Sequence, residues 1–252
     1  MSKTLIAGNW KMHLTAEQSR GLAERVEKTA VKYSKAVDVV VCPTHVCLPA
    51  VAAVTKKLSV GAQNIYFADE GAFTGEVSAN QVKEFVRYVI VGHSERRHVF
   101  GELNEMVARK AAACLRHNLT PIICVGEIGY ERDHGETVQV LNDQIATGLT
   151  MLTAAEIEQI VIAYEPVWAI GTGENAKPED VAAAARTINQ AIQEMFGAAA
   201  ASKCRILYGG SVTAATAASY LALEEISGLL VGGASLNEHE FNDIVEQASH
   251  DK

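Results

Sequence analysis

Three stretches of this 252-residue chain place a charged or titratable side chain where chemistry is readily done. In IAYEPVWAIGTGENA (162–176) an apolar run ends in Glu165, and Pro166, an aromatic–aliphatic segment and Gly171-Thr172-Gly173 follow. Ala163, Tyr164, Pro166, Val167 and Trp168 strip water from that carboxylate, which makes it a stronger base. A proline at the near end and glycines at the far end suit a short hinged flap. The stretch therefore reads either as an ordinary strand terminus or as a general base carrying its own lid. GTGENA also fits a glycine-rich dinucleotide pattern, but residues 166–170 separate it from the apolar run, where that motif must open directly from a strand.

In IVGHSERR (90–97), His93 ends an apolar run just ahead of a helical stretch. A helix N-terminus disfavours imidazolium, leaving a neutral ring that can donate a hydrogen bond to a carbonyl oxygen. The same residues approach a GxSxG nucleophile elbow, except that Arg96 stands where the second glycine belongs. GNWK (8–11) sets Lys11 just beyond the first run. In a chain of net charge -8, it is either a solvated lysine or a point charge for a phosphate or an oxyanion. Glu95, two residues past His93, could hold its ammonium. The paired glycines of LYGGSV (207–212) and LLVGGASL (229–236) are tight turns or a cradle of backbone N–H groups for phosphate. There is no lysine–serine pair of the nucleoside-triphosphate loop, and no HExxH-type metal spacing.

These residues need elements to carry them. Eight short runs rich in Val and Ile supply strands: 4–9, 38–42, 59–63, 88–92, 121–126, 160–165, 205–210 and 228–233. Apolar residues are continuous in them rather than alternating, as in parallel strands buried on both faces. Helical patterns fill the gaps. Residues 15–32 open on Thr15 and Gln18 at capping-box spacing; 102–117 show an apolar stripe; 178–196 begin at a proline and stop before Gly197. Strand–helix alternation repeated eight times, with no break in composition, predicts one domain, 1–252, closed into an α/β (β/α)8 barrel. An open doubly wound sheet is the alternative. Asn9, Lys11, Gln63, Asn64, His93, Glu95, Glu127, Glu165, Ser211, Gly232 and Gly233 all fall at or just past the C-terminal ends of these runs. That is the face on which such barrels build their sites.

The acidic balance disfavours nucleic acid as a partner. No apolar run has the length of a membrane span, and MSKTLIAGNWK is not a secretory leader. Cys42, Cys47, Cys114, Cys124 and Cys204 are odd in number and scattered, which suits free thiols in a reducing cytosol. A cytoplasmic protein is expected.

Taken in order, GNWKM, VGHSERR, CVGE, AYEPVWAIGTG, YGGSV and VGGASL resemble the triosephosphate isomerase family over essentially the whole chain. The resemblance implies a TIM barrel that interconverts dihydroxyacetone phosphate and D-glyceraldehyde 3-phosphate in glycolysis and gluconeogenesis, with neither cofactor nor metal. It implies Glu165 as the base between C1 and C2, and His93 as electrophile and proton shuttle. Lys11 and Asn9 would contact the substrate, with Glu95 behind Lys11. Gly171, Ser211, Gly232 and Gly233 would donate backbone hydrogen bonds to the phosphate, and Ile170 and Leu230 would clamp the glutamate when the flap closes.

GAFTGEVS (71–78) resembles the family's interdigitating loop. That implies a homodimer in which Thr74 approaches the partner's Asn9 and Glu95, and Glu76 pairs with the partner's Arg96. Departures from the family pattern are small: Glu174-Asn175-Ala176 at the flap's end, His13 after GNWKM, and Asn237 after GASL. A Schiff-base aldolase using Lys11 and a binding scaffold without catalysis are the competing functions. Strand six ends in a glutamate rather than a lysine, and all three reactive side chains are kept.

Overall fold

A computed structural model of the chain describes residues 3–170 and 175–250. Its eight strands are β1 (Thr4–Asn9), β2 (Val37–Cys42), β3 (Ser59–Ala62), β4 (Tyr88–Val91), β5 (Thr120–Val125), β6 (Val161–Tyr164), β7 (Arg205–Tyr208) and β8 (Gly228–Val231). Each pairs in parallel with the next, and β1 pairs with β8 in the register Leu5↔Gly228, so the sheet closes on itself. The open-sheet alternative is excluded.

Continuous apolar runs are needed because both faces of every strand are buried. Alternate residues belong to two separate clusters. Leu5, Ala7, Val40, Ile90, Ile122 and Leu207 fill the barrel's interior. Their neighbours Ile6, Val41, Val91, Ile123 and Ile206 pack outward against helix residues such as Leu22, Val107, Ile188 and Phe241. All five cysteines are free and buried.

The helices start and stop where their ends are chemically satisfied. Ala16–Lys32 is capped by Thr15, whose side chain accepts from the N–H of Gln18 while Gln18 answers to the N–H of Thr15. Pro178–Phe196 begins on its proline and ends at Gly197, φ +86°. The expected helix 102–117 is shorter, Asn104–Arg116. Glu102 instead turns inward, 4% exposed, and hydrogen-bonds ahead of the helix. The β3–β4 connection differs more: its only helix among the described residues is Ala79–Val82, and residues 69–76 are exposed.

At the exits of β5 and β6 the backbones nearly touch. The N–H of Glu165 donates to Val125 O at 2.7 Å. A Cβ on Gly126 would lie 1.8 Å from the carbonyl oxygen of Glu165. Gly126→Ala must therefore push two strand ends apart. It should cost about 1–3 kcal/mol, the usual range for overpacking, and lower Tm by about 3–10 °C. A thermal melt matching the parent would show that this close approach is not a constraint.

Candidate active site

The site begins where β4 ends. Gly92 has φ +68°, a left-handed conformation, and a Cβ there would meet Val107 at 2.8 Å. The turn it makes places His93 at the N-cap of a short helix, Ser94–His98. The N–H of Glu95 donates to His93 Nδ1 at 3.2 Å, which fixes the ring's proton on Nε2. Nε2 lies 3.1 Å from Glu165 Oε1, and the other carboxylate oxygen accepts from the N–H of Ser94 at 2.9 Å. Both side chains are buried, so little water competes for this contact.

Lys11 follows β1, three strands around the ring from β4. Its φ of +50° is unusual for a side chain of that size and is typical of functional turns. The turn is held by its N–H donating to Asn9 Oδ1 at 3.0 Å and by Gln63 Nε2 donating to its carbonyl at 2.8 Å. Its Nζ is 2.6 Å from Glu95 Oε1. Burial alone would raise the Glu95 carboxyl, but Lys11, His93 and His13 together hold it below the usual carboxylate range. Asn9, Lys11, His93 and Glu95 share one cleft of about 310 Å³ with Glu76 and Arg96.

The remaining expected residues fall around this group. A Cβ on Gly232 would sit 3.7 Å from Lys11 Cε, so this glycine flanks the lysine stem. Gly233 opens a 3-10 turn, Gly233–Leu236, in which Ser235 Oγ donates to Gly232 O at 2.6 Å. Ser211 Oγ donates to Ala169 O at 2.5 Å, joining the loop after β7 to the segment after Glu165. Leu230 is buried beside Gly209, which packs against Glu165 Cγ. Ile170 is half-buried. Gly171 and residues 172–174 lie outside the described residues. Thr74 and Glu76 are exposed on the β3–β4 loop, and Arg96 is partly buried.

Several residues had no role assigned from sequence. Glu127, the glutamate of CVGE, accepts from Trp168 Nε1 at 2.7 Å and from the Tyr164 hydroxyl at 3.1 Å. Its carbonyl accepts from Val167 N–H at 3.0 Å. Burial raises its carboxyl more than those hydrogen bonds lower it. Trp168 is covered by the Arg132 guanidinium 3.7 Å from the ring centroid, so the stem of the expected flap is fastened on two sides. Glu102 lies behind His93. One of its oxygens accepts from Gly92 N–H at 3.0 Å, while the other meets Lys110 Nζ at 2.5 Å and Arg96 Nε at 2.7 Å. Lys110 also donates to Asn64 Oδ1 at 2.8 Å. A glutamate following a strand in CVGE was the available signal for the first. The doubled arginine of SERR was the signal for the second.

A desolvated carboxylate facing an N–H donor can move a proton next to a carbonyl group while the oxygen is stabilised. The comparisons agree with that chemistry. A family model described as triosephosphate isomerase matches residues 4–248. A triosephosphate isomerase of Clostridium botulinum is 47% identical over 248 residues, 97% of this chain and 99% of its own. Proteins of the same name from Clostridium tetani and Clostridium perfringens are 44% and 46% identical, each over 97% of this chain and over 96% and 99% of their own length.

Glu102 offers a test of the charged support behind His93. Burial pushes its carboxyl up, but Lys110 and Arg96 hold it below the usual range. Its stabilising contribution is thus full above the ordinary carboxylate value and is lost as pH falls through the depressed one. Glu102→Gln strands Lys110 as a buried charge and should cost about 3–5 kcal/mol at neutral pH. Urea unfolding should show the variant losing less further stability on acidification than the parent. Equal stability at neutral pH would remove this cluster from the account.

Proposed function

We infer the division of labour among these residues from one premise: the chain belongs to the triosephosphate isomerase family. It is an aldose–ketose isomerase that interconverts dihydroxyacetone phosphate and D-glyceraldehyde 3-phosphate by proton transfer through an enediol(ate). The observation that supports the residue roles best is the direct contact between Glu165 and the protonated nitrogen of His93. In the resting protein that N–H points at the carboxylate. A substrate whose carbonyl oxygen takes the N–H instead sets its adjacent C–H against the freed carboxylate.

Glu165 removes the C1 proton of the ketose as His93 Nε2–H stabilises the oxygen that gains charge. The imidazole relays a proton between the two oxygens. Glu165 returns its proton at C2, giving the aldose with no net change in electrons. Lys11, steadied by Glu95, balances charge on the intermediate and the phosphate, and Asn9 holds the lysine turn. Ser211, Gly232 and Gly233 present backbone N–H groups to the phosphate, the role the family resemblance also gives to Gly171. An enediolate phosphate in water can expel its phosphate, so exclusion of water by the segment after Glu165, with Ile170 and Leu230 at its edge, serves the chemistry as much as the base does. An ammonium held by a carboxylate 2.6 Å away is not a free amine nucleophile, which disfavours the aldolase reading of Lys11.

The functional unit in this reading is a homodimer. Met12, Val46, Val99, Phe100 and Leu103 are all more than half exposed, and Met12 and Phe100 line the cleft that also holds Lys11 and His93. A second copy covers these side chains and receives the loop carrying Thr74 and Glu76. Arg96 Nε is engaged by Glu102 of its own chain, so a contact with the partner's Glu76 would use the other guanidinium nitrogens. No helix among the described residues is long and apolar enough to cross a membrane, and the cytoplasm is the proposed location.

In a coupled assay with glyceraldehyde 3-phosphate, Glu165→Gln should lower kcat by at least about 100-fold with little change in substrate affinity. An unchanged kcat would take Glu165 out of the mechanism. Thr74→Ala with Glu76→Ala should weaken self-association and activity together in sedimentation and rate measurements. A fully active monomer of the parent protein would refute the buttressing role.

A further inference from the structure

Arg97, the second arginine of SERR, reaches behind both members of the proton-transfer pair. Its Nε donates to Gly92 O at 2.7 Å, Nη2 to Cys124 O at 3.0 Å, and Nη1 to Asn104 Oδ1. Gly92 directly precedes His93. Cys124 directly precedes Val125, whose carbonyl accepts the N–H of Glu165 at 2.7 Å. One rigid guanidinium therefore ties the exit of β4, which aims the imidazole, to the exit of β5, on which the carboxylate's backbone hangs. Arg97 and Glu165 also line the same narrow cleft with Gly92, Ser94, Cys124 and Gly126, and that cleft has no room for a water molecule.

The partners are unusual for an arginine in such a place. Arg96 uses its Nε on the carboxylate of Glu102, as partly buried arginines generally do. Arg97 spends its donors on three neutral oxygens, and its charge is balanced at longer range by Glu102 and Glu165. Forgoing a direct ion pair costs stability unless the fork does something else. Its N–H groups lie in one plane at fixed angles, so it fixes the relative placement of its acceptors in a way a single ammonium cannot. The slot is also tight: a Cβ on Gly92 would lie 2.9 Å from Arg97 Nη2, so neither the strand exit nor the guanidinium can shift alone.

We propose that Arg97 is a positioning residue for the isomerisation, clamping the ends of β4 and β5 so that His93 Nε2 and Glu165 Oε1 meet across the reacting carbons. The proposal rests on the roles given to His93 and Glu165 above. It predicts an effect on turnover rather than on binding, because a small misplacement of paired catalytic groups is felt most at the barrier.

The test compares Arg97→Lys, which keeps the charge but not the fork, and Asn104→Ala, which removes the third anchor, with the parent. Active sites are titrated with phosphoglycolate, a mimic of the intermediate, and rates are taken well below each variant's Tm. For Arg97→Lys, kcat per titrated site should fall about tenfold or more with KM within about twofold. For Asn104→Ala the same split should appear at a smaller size. A lower Tm with kcat per site unchanged in both variants would mean that Arg97 only stabilises the fold, and would overturn the proposal. If Arg97→Lys yields no folded protein, Asn104→Ala decides alone, and parental kinetics there overturn it too. Glu165→Gln measured alongside separates the two levels: if it retains full turnover, the reading beneath has failed. If it is crippled while the Arg97 and Asn104 variants are not, only the clamp falls.

Discussion

The hydrogen bonds between β1 and β8 are the constraint from which the site follows. They bend a parallel sheet into a ring, and every strand of a ring ends on the same rim. Lys11 after β1, His93 after β4 and Glu165 after β6 are far apart in the chain, yet closure leaves their backbones nowhere else to go. The apolar interior below them, from Leu5 to Leu207, keeps water out from beneath. A carboxylate on that rim is thus desolvated by the same packing that holds the barrel together, and it meets an N–H donor rather than solvent.

Around the rim, charge is arranged in tiers of decreasing access to the substrate. Lys11 and Glu95 face the cleft. His93 and Glu165 face each other one step deeper. Behind them, Glu102 and Lys110 form a buried pair that grips Gly92 and is joined by Arg96 from the cleft, while Glu127 grips the residues following Glu165. Glu102 accepts from the backbone N–H of Gly92, and His93 accepts from that of Glu95. Buried polar groups of this kind are tolerable only when their partners are in place, and once in place they are stiff. The arrangement gives the reactive side chains few ways to wander and makes their supports sensitive to single substitutions.

Backbone conformation carries part of the same design. Gly92 and Lys11 both adopt positive φ at strand exits, and each turn is fixed by side-chain hydrogen bonds rather than by regular pairing. These turns lie at the ends of β4 and β1, where His93 and Lys11 enter the shared cleft. The β3–β4 connection follows another logic: it gives up a long helix for an exposed loop, and exposed apolar side chains lie near the cleft it borders. A solitary subunit would leave those groups in water, and this favours a second subunit as their cover.

Much of this was legible along the chain, because strand and helix signals depend on near neighbours. Continuous Val- and Ile-rich runs, the Thr15–Gln18 cap and the Pro178 start yielded the barrel's elements, and the identities of Lys11, His93 and Glu165 at strand ends indicated acid–base chemistry on an anion. What remained hidden depends on distances through space. Lys110 on a helix reads as solvated until Glu102 and Asn64 are seen to enclose its ammonium. Glu102 looked like the first residue of a helix, and the sequence assigned Arg97 no role. Their roles depend on which carbonyls and carboxylates arrive from other strands, and only ring closure brings those groups within hydrogen-bonding reach.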